Sequence, residues 1–198
     1  MDWKEKTLSY YNEQPDQFIR TTLEADMTEI RSRFIKHLGP NARILDFGCG
    51  SGRDTKAFLE AGYIVEAIDG SVELCKKAAA YTGIPVKQML FSDLNEKDRY
   101  DGIWANASIL HLPRAELADV LQKLEKALRP QGILFASFKY GTFEGIRTGR
   151  YYTDFTRDTL STFWEKTTAL KIIDEWITND TIPGREELQW INILARRG

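Results

Sequence analysis

The residues best suited to chemistry fall in the run Ile44-Leu45-Asp46-Phe47-Gly48-Cys49-Gly50-Ser51-Gly52-Arg53. Two apolar β-formers lead into an acid, and glycine then takes every second position. A strand that breaks into a turn nearly bare of side chains lets a ligand lie against the backbone. A helix opening at Arg53 would aim the free N–H groups of its first turn at the same spot. A dinucleotide fingerprint places its third glycine three residues after the second. Here that position is Arg53, and the third glycine comes one residue early, at Gly52. A second acid follows in Ile68-Asp69-Gly70-Ser71, where a carboxylate can accept both hydroxyls of a ribose. Asp69 could also cap the next helix, although Ser71 is better placed to do so.

The elements that must position these groups alternate in type. Arg43–Phe47, Ile64–Ile68, Val86–Leu90, Gly102–Ala105, Ile133–Phe138, Ile172–Thr178 and Gln189–Ala195 read as strands. Arg53–Ala61, Val72–Thr82, Arg114–Leu128 and Arg157–Lys166 read as helices, the third with Leu117, Leu121, Leu124 and Leu128 on one face. Such alternation predicts an α/β fold with a seven-stranded, mostly parallel, Rossmann-like sheet and helices on both faces. The loop Asn179–Glu187 is too short for a crossover helix, so the last two strands should pair antiparallel, giving one antiparallel strand. Ahead of the sheet, Phe18, Leu23, Met27, Ile30, Phe34 and Leu38 have helical spacing up to Gly39-Pro40, and a shorter helix from about Asp2 to Asn12 precedes Pro15. The chain of 198 residues is expected to form one domain, with a helical cap over 1–40 and a core over 41–198.

Composition narrows the function. A net charge of −2 gives no general electrostatic footprint for nucleic acid. No apolar run reaches the roughly 20 residues of a membrane span, and the polar start at Met1-Asp2-Trp3 lacks the apolar core of a signal peptide, so a cytoplasmic location is expected. Cys49 and Cys75, with His37 and His111, show no disulfide or zinc spacing, so no metal is expected.

The glycine run resembles motif I of the class I S-adenosylmethionine (SAM)-dependent methyltransferases, D-x-G-x-G-x-G. Blocks at Ile44–Asp54, Ala67–Ser71 and Tyr100–Pro113 carry the resemblance to that fold. Ser137–Gly141, Gly149–Thr153 and Gly184–Asn192 resemble the type 11 and tellurite-resistance methyltransferase subgroup, without a match to the tellurite enzymes' late catalytic cluster. The resemblance implies that Asp46, Gly48, Cys49, Gly50, Ser51, Gly52 and Arg53 approach the amino-acid part of SAM, with Asp69, Gly70 and Ser71 at the ribose. It implies Asp93 and Leu94 at the adenine, and Asn106 and Ala107 beside the sulfonium. Tyr11, with Phe18, Arg20 and Thr21, would form an N-terminal lid. The product would be S-adenosylhomocysteine (SAH).

His111 and Tyr140 are the catalytic candidates, and Lys139, Arg150, Tyr151, Arg185 and Trp190 the acceptor-side candidates. The two arginines suggest an anionic small-molecule acceptor. A non-catalytic SAM-binding regulator is the main alternative. A nucleic-acid methyltransferase is disfavoured because Asn106-Ala107-Ser108-Ile109 replaces an Asn/Asp-Pro-Pro-aromatic motif and neither cysteine is placed as a nucleophile. The chain is compatible with a monomer or a homodimer.

Overall fold

Side chains that alternate between two covered faces explain the central strand. In β1 (Arg43–Phe47) every residue after the first is buried, because both faces of the strand are covered. Ile44 joins Phe34, Phe58 and Trp104 on one face, while Leu45 and Phe47 join Leu117, Leu121 and Leu124 on the other. The computed structural model describes residues 2–182, 184–185 and 187–198; Pro183 and Glu186, in the last interstrand loop, lie outside them.

The remaining strands are β2 (Ile64–Asp69), β3 (Val86–Gln88), β4 (Tyr100–Ala105), β5 (Leu128–Lys139), β6 (Glu144–Arg147), β7 (Arg150–Thr153), β8 (Lys171–Asn179) and β9 (Gln189–Arg196). The main sheet has seven strands in the order β3-β2-β1-β4-β5-β9-β8. All neighbours from β3 to β5 are parallel, and β9 alone runs against both β5 and β8. The predicted mostly parallel sheet with one antiparallel strand is therefore present.

Helices α3 (Thr28–Ile35) and α4 (Arg53–Glu60) supply side chains to one face. On the other, α6 (Arg114–Ala127) and α7 (Arg157–Thr167) bury Leu117, Leu121, Leu124, Leu160 and Trp164. Each fully buried leucine contributes about 1.5–3 kcal/mol. Helix α5 (Val72–Thr82) follows β2, capped by the Ser71 hydroxyl, which accepts from the Leu74 N–H.

Two features depart from the sequence reading. The N-terminal pattern divides into α1 (Trp3–Glu13), α2 (Pro15–Thr22) and α3, with a break over residues 23–27. There the Asp26 carboxylate accepts from the Thr28 N–H, an Asx turn that competes with helical hydrogen bonding. The guanidinium of Arg53 donates to the Thr22 carbonyl, serving an acceptor at the end of α2. The second departure is the β6–β7 hairpin, which the sequence reading lacked. Its turn, Thr148-Gly149, has both residues at positive φ, 51° and 81°. That is the dihedral signature of a tight hairpin turn, but threonine is rarely its first residue.

Candidate active site

The glycine run forms a cradle where β1 ends. Gly48 has φ +88° and Gly50 φ +55°. The N–H groups of Gly48 and Cys49 both donate to the Ile68 carbonyl, which folds the turn across the end of β2. A Cβ on Gly48 would stand 2.5 Å from the Ser108 Cβ and 3.1 Å from Phe91, and one on Gly50 would stand 3.0 Å from the Phe18 ring. Gly48→Ala combines left-handed strain with a clash, together about 2–5 kcal/mol. Thermal unfolding should show a clear drop in Tm for this variant; an unchanged Tm would remove the steric argument.

Asp69, at the end of β2, is gripped by the backbone. Its Oδ2 accepts from the Gly50 N–H at 2.9 Å and its Oδ1 from the Ser71 N–H at 2.8 Å. Burial raises its pKa while these N–H groups oppose the rise. Each oxygen keeps lone pairs for a ligand diol. Burial also pushes the Cys49 thiol up, away from a nucleophilic thiolate.

Asp54, not singled out as a site residue by the sequence reading, is the centre of the polar network. Its carboxylate accepts from Arg31 at 2.8 Å, from Arg53 at 3.1 and 2.8 Å, from the Trp104 indole at 3.0 Å and from the Asn106 amide at 3.2 Å. Burial works to raise its pKa, but Arg53 and Arg31 hold it at about 2. An acid in the first turn of the helix after the glycines was the available signal. Asn106 in turn accepts from the Ser137 hydroxyl, which itself accepts from the Ala107 N–H at 2.8 Å. Ala107 is held at φ +50°, a conformation that costs a non-glycine residue.

A hydrogen-bond chain closes the far side. His111 Nδ1 lies 2.6 Å from the Tyr151 carbonyl, which can only accept, so Nδ1 carries the proton. Nε2 then accepts from the Tyr11 hydroxyl at 2.7 Å, and Arg150 donates to the Tyr11 oxygen at 3.3 Å. Burial pushes His111 down to about 3 and lifts the Tyr11 phenol above its ordinary range. The imidazole is therefore neutral, with its basic nitrogen occupied by the N-terminal segment.

Two buried groups give the fold opposite pH dependences. His111 takes up a proton on unfolding below its ordinary value of 6.5, so its stabilisation is lost as pH falls from 6.5 toward 3. Asp46 accepts from the Thr55 hydroxyl, and burial, followed by the Asp54 charge, raises it from 3.8 to about 7. The native state then holds a proton that the unfolded chain releases, so stability falls as pH rises from 3.8 to about 7. Asp46→Asn keeps a partner for Thr55 and removes that slope. Denaturant titrations should show the variant gaining on the wild type across this window, by at most about 1.4 kcal/mol per pH unit. A pH-independent difference would contradict the assignment.

These groups line one cavity of about 260 Å³ at the carboxyl ends of the strands. Of the sequence candidates, its wall holds Tyr11, Asp46, Gly48, Cys49, Gly50, Ser51, Arg53, Asp69, Gly70, Asn106, Ala107, His111, Lys139, Arg150, Arg185 and Trp190. Other candidates lie off the wall. Arg20 is exposed on α2, Ser71 caps α5 and donates to Asn12, and Gly52 packs on Thr82 and Ala78. Leu94 is in the core and Asp93 is exposed, because β3 gives way to a 3₁₀ turn over Phe91–Asp93; Met89, Leu90, Phe91 and Ser92 take the wall instead. Tyr140 and Tyr151 also lie off the wall, as side-chain alternation along an extended chain directs. Lys139 faces the cavity and Tyr140 does not; Arg150 and Tyr152 face it, while the Tyr151 ring packs on Trp3 and its hydroxyl donates to Glu144. Among the described residues no cluster of His, Cys, Asp and Glu is arranged to hold a metal ion, and no helix is long and apolar enough to cross a membrane.

Residues 44–132 match the methyltransferase domain family model. The N-terminal Xaa-Pro-Lys N-methyltransferase 1-A of Xenopus laevis is 34% identical over 114 residues, which cover 52% of this chain and 51% of that protein. The chain thus aligns with about half the length of this curated relative. The crystal structure of the Burkholderia thailandensis 1,6-didemethyltoxoflavin-N1-methyltransferase, with 1,6-didemethyltoxoflavin and SAH bound, superposes with a TM-score of 0.76 at 24% identity, covering 95% of this chain and 84% of that one. The [4+2]-cyclase SpnF superposes at 0.72 with 14% identity, covering 96% and 94%, so the architecture alone does not dictate the reaction. Residues 44–132 thus carry the methyltransferase-domain match, within a chain that has the class I SAM-dependent methyltransferase fold.

Proposed function

We propose that this protein is a SAM-dependent methyltransferase acting on a small-molecule acceptor. The observation that carries the reading is the Asp69 carboxylate, held between the Gly50 and Ser71 N–H groups beside a glycine cradle and facing the cavity. The donor set fits the cofactor: a buried acid for a ribose diol, a turn that any added Cβ would fill, and apolar Met89, Leu90 and Phe91 for an adenine ring. When bound, SAM supplies an electrophilic methyl group on a sulfonium.

The chain's own residues orient the reactants and exclude water. Helices α1 and α2 form a lid, with Phe18 over Gly50 and Tyr11 on His111. Asn12 on Ser71 and Thr7, which accepts from the Tyr151 N–H, fasten α1 at two further points. A dry pocket favours loss of the positive charge as the sulfonium becomes a neutral thioether. His111 is neutral, the form a base requires. Burial holds it at about 3, so its Nε2 can take a proton from an acceptor only when Tyr11 moves aside and the ring is opened to solvent or substrate. On the acceptor side, Lys139 pairs with Asp180 at 2.8 Å and lies over the Trp190 ring.

The test is SAH formation from SAM, followed by mass spectrometry across thiols, amines, carboxylates and oxyanions including tellurite. Turnover with at least one class is expected. SAM binding without turnover on any of them would favour the regulatory alternative.

A further inference from the structure

The cationic side chains on the cavity wall differ in how they are neutralised. Lys4 pairs with Glu116, Arg53 with Asp54 and Lys139 with Asp180. Arg185 is exposed. Arg150 is half-buried and has no carboxylate partner among the described residues. Its surroundings are aromatic: the guanidinium lies 4.2 Å from the Tyr10 ring centre, 5.3 Å from that of Tyr152 and 5.7 Å from that of Tyr11. One terminal nitrogen donates to the Tyr11 hydroxyl, and the buried Nε–H has no partner among the described residues. Arg147, on the other strand of the same hairpin, makes the contrast. It pairs with both oxygens of Asp154 at 3.1 Å.

A half-buried guanidinium without an anion is costly, the more so with its Nε–H buried, and its fork of donors matches a planar oxyanion. Tyrosine faces hold the cation without neutralising it. On the reading of the cavity as a methyltransferase site, we propose that Arg150 is the receptor for an anionic group, a carboxylate or comparable oxyanion, on the methyl acceptor. Acceptors would then be small anions. A lysine-bearing peptide, the kind of acceptor named for the Xenopus relative, would meet an uncompensated positive charge.

Arginine-selective ¹H–¹⁵N NMR tests this on the intact chain, with the Arg150 Nε–H signal assigned by its loss in Arg150→Lys. Benzoate is titrated into the free and the SAH-saturated protein, with benzamide as the neutral control. The expected result is a saturable shift of the Arg150 signal by benzoate, with Kd on the order of millimolar, in the presence of SAH. Benzamide should produce none, and Arg150→Lys, read through the backbone amide shifts that benzoate produces in both proteins, should bind benzoate about tenfold more weakly, as loss of the bidentate fork requires. Absence of a saturable shift with benzoate, acetate and inorganic phosphate would overturn the proposal. So would a shift produced by SAH itself that leaves benzoate without effect, because the guanidinium would then belong to the cofactor's own carboxylate. If SAH does not bind, the methyltransferase reading fails while the titration of the free protein still reports on the anion site.

Discussion

Replacing Asp69 with alanine should weaken SAH binding by about 100-fold. Two hydrogen bonds from a ribose diol to a carboxylate are lost, and each charged bond contributes about 1.5–3 kcal/mol, where 1.4 kcal/mol is a factor of ten. The same change orphans the Gly50 and Ser71 N–H groups, which now hold the turn against the end of β2. Asp69→Asn should fall between the two, at about a tenfold loss, because only one amide atom can accept from those N–H groups. Isothermal calorimetry on the folded variants measures both. Wild-type affinity in Asp69→Ala would remove the ribose assignment.

The largest effect on stability is expected at Asp54. Its carboxylate gathers Arg31 from α3, Arg53 from α4, Trp104 from β4 and Asn106 from the turn after it. Truncation to alanine leaves two largely buried guanidiniums and a buried indole N–H without their acceptor. Breaking a buried ion pair from one side costs about 3–5 kcal/mol. For a chain of this size that is on the order of 10 °C in Tm. Because Asn106 loses the same partner, SAH binding should weaken as well. Thermal unfolding of Asp54→Ala against Asp54→Asn separates charge from shape, and a Tm loss of only about 1 °C would show the network to be dispensable.

What was legible in the chain follows from how local each signal is. The strands, the crossover helices and the antiparallel β9 could be read from period, length and the short final loop. The glycine cradle and Asp69 could be read because their meaning lies in adjacent residues at a strand end. Asp54 was not legible in the same way, since its role depends on four segments that meet only in the fold. Asp93 was displaced from the expected wall because the chain leaves β3 two residues early into a 3₁₀ turn. Tyr151 was replaced by Tyr152 through strand parity, which could be applied only once the β6–β7 hairpin was known. That hairpin was hidden by a threonine in a left-handed turn position.

The claim that organises the site is that the cradle and Asp69 hold S-adenosyl donors rather than nicotinamide cofactors. Calorimetric titration of the wild-type chain with SAH, and separately with NAD, tests it most directly. Saturable one-site binding of SAH in the micromolar range with no heat from NAD is predicted. Saturable NAD binding, or no SAH binding by a folded protein, would contradict it.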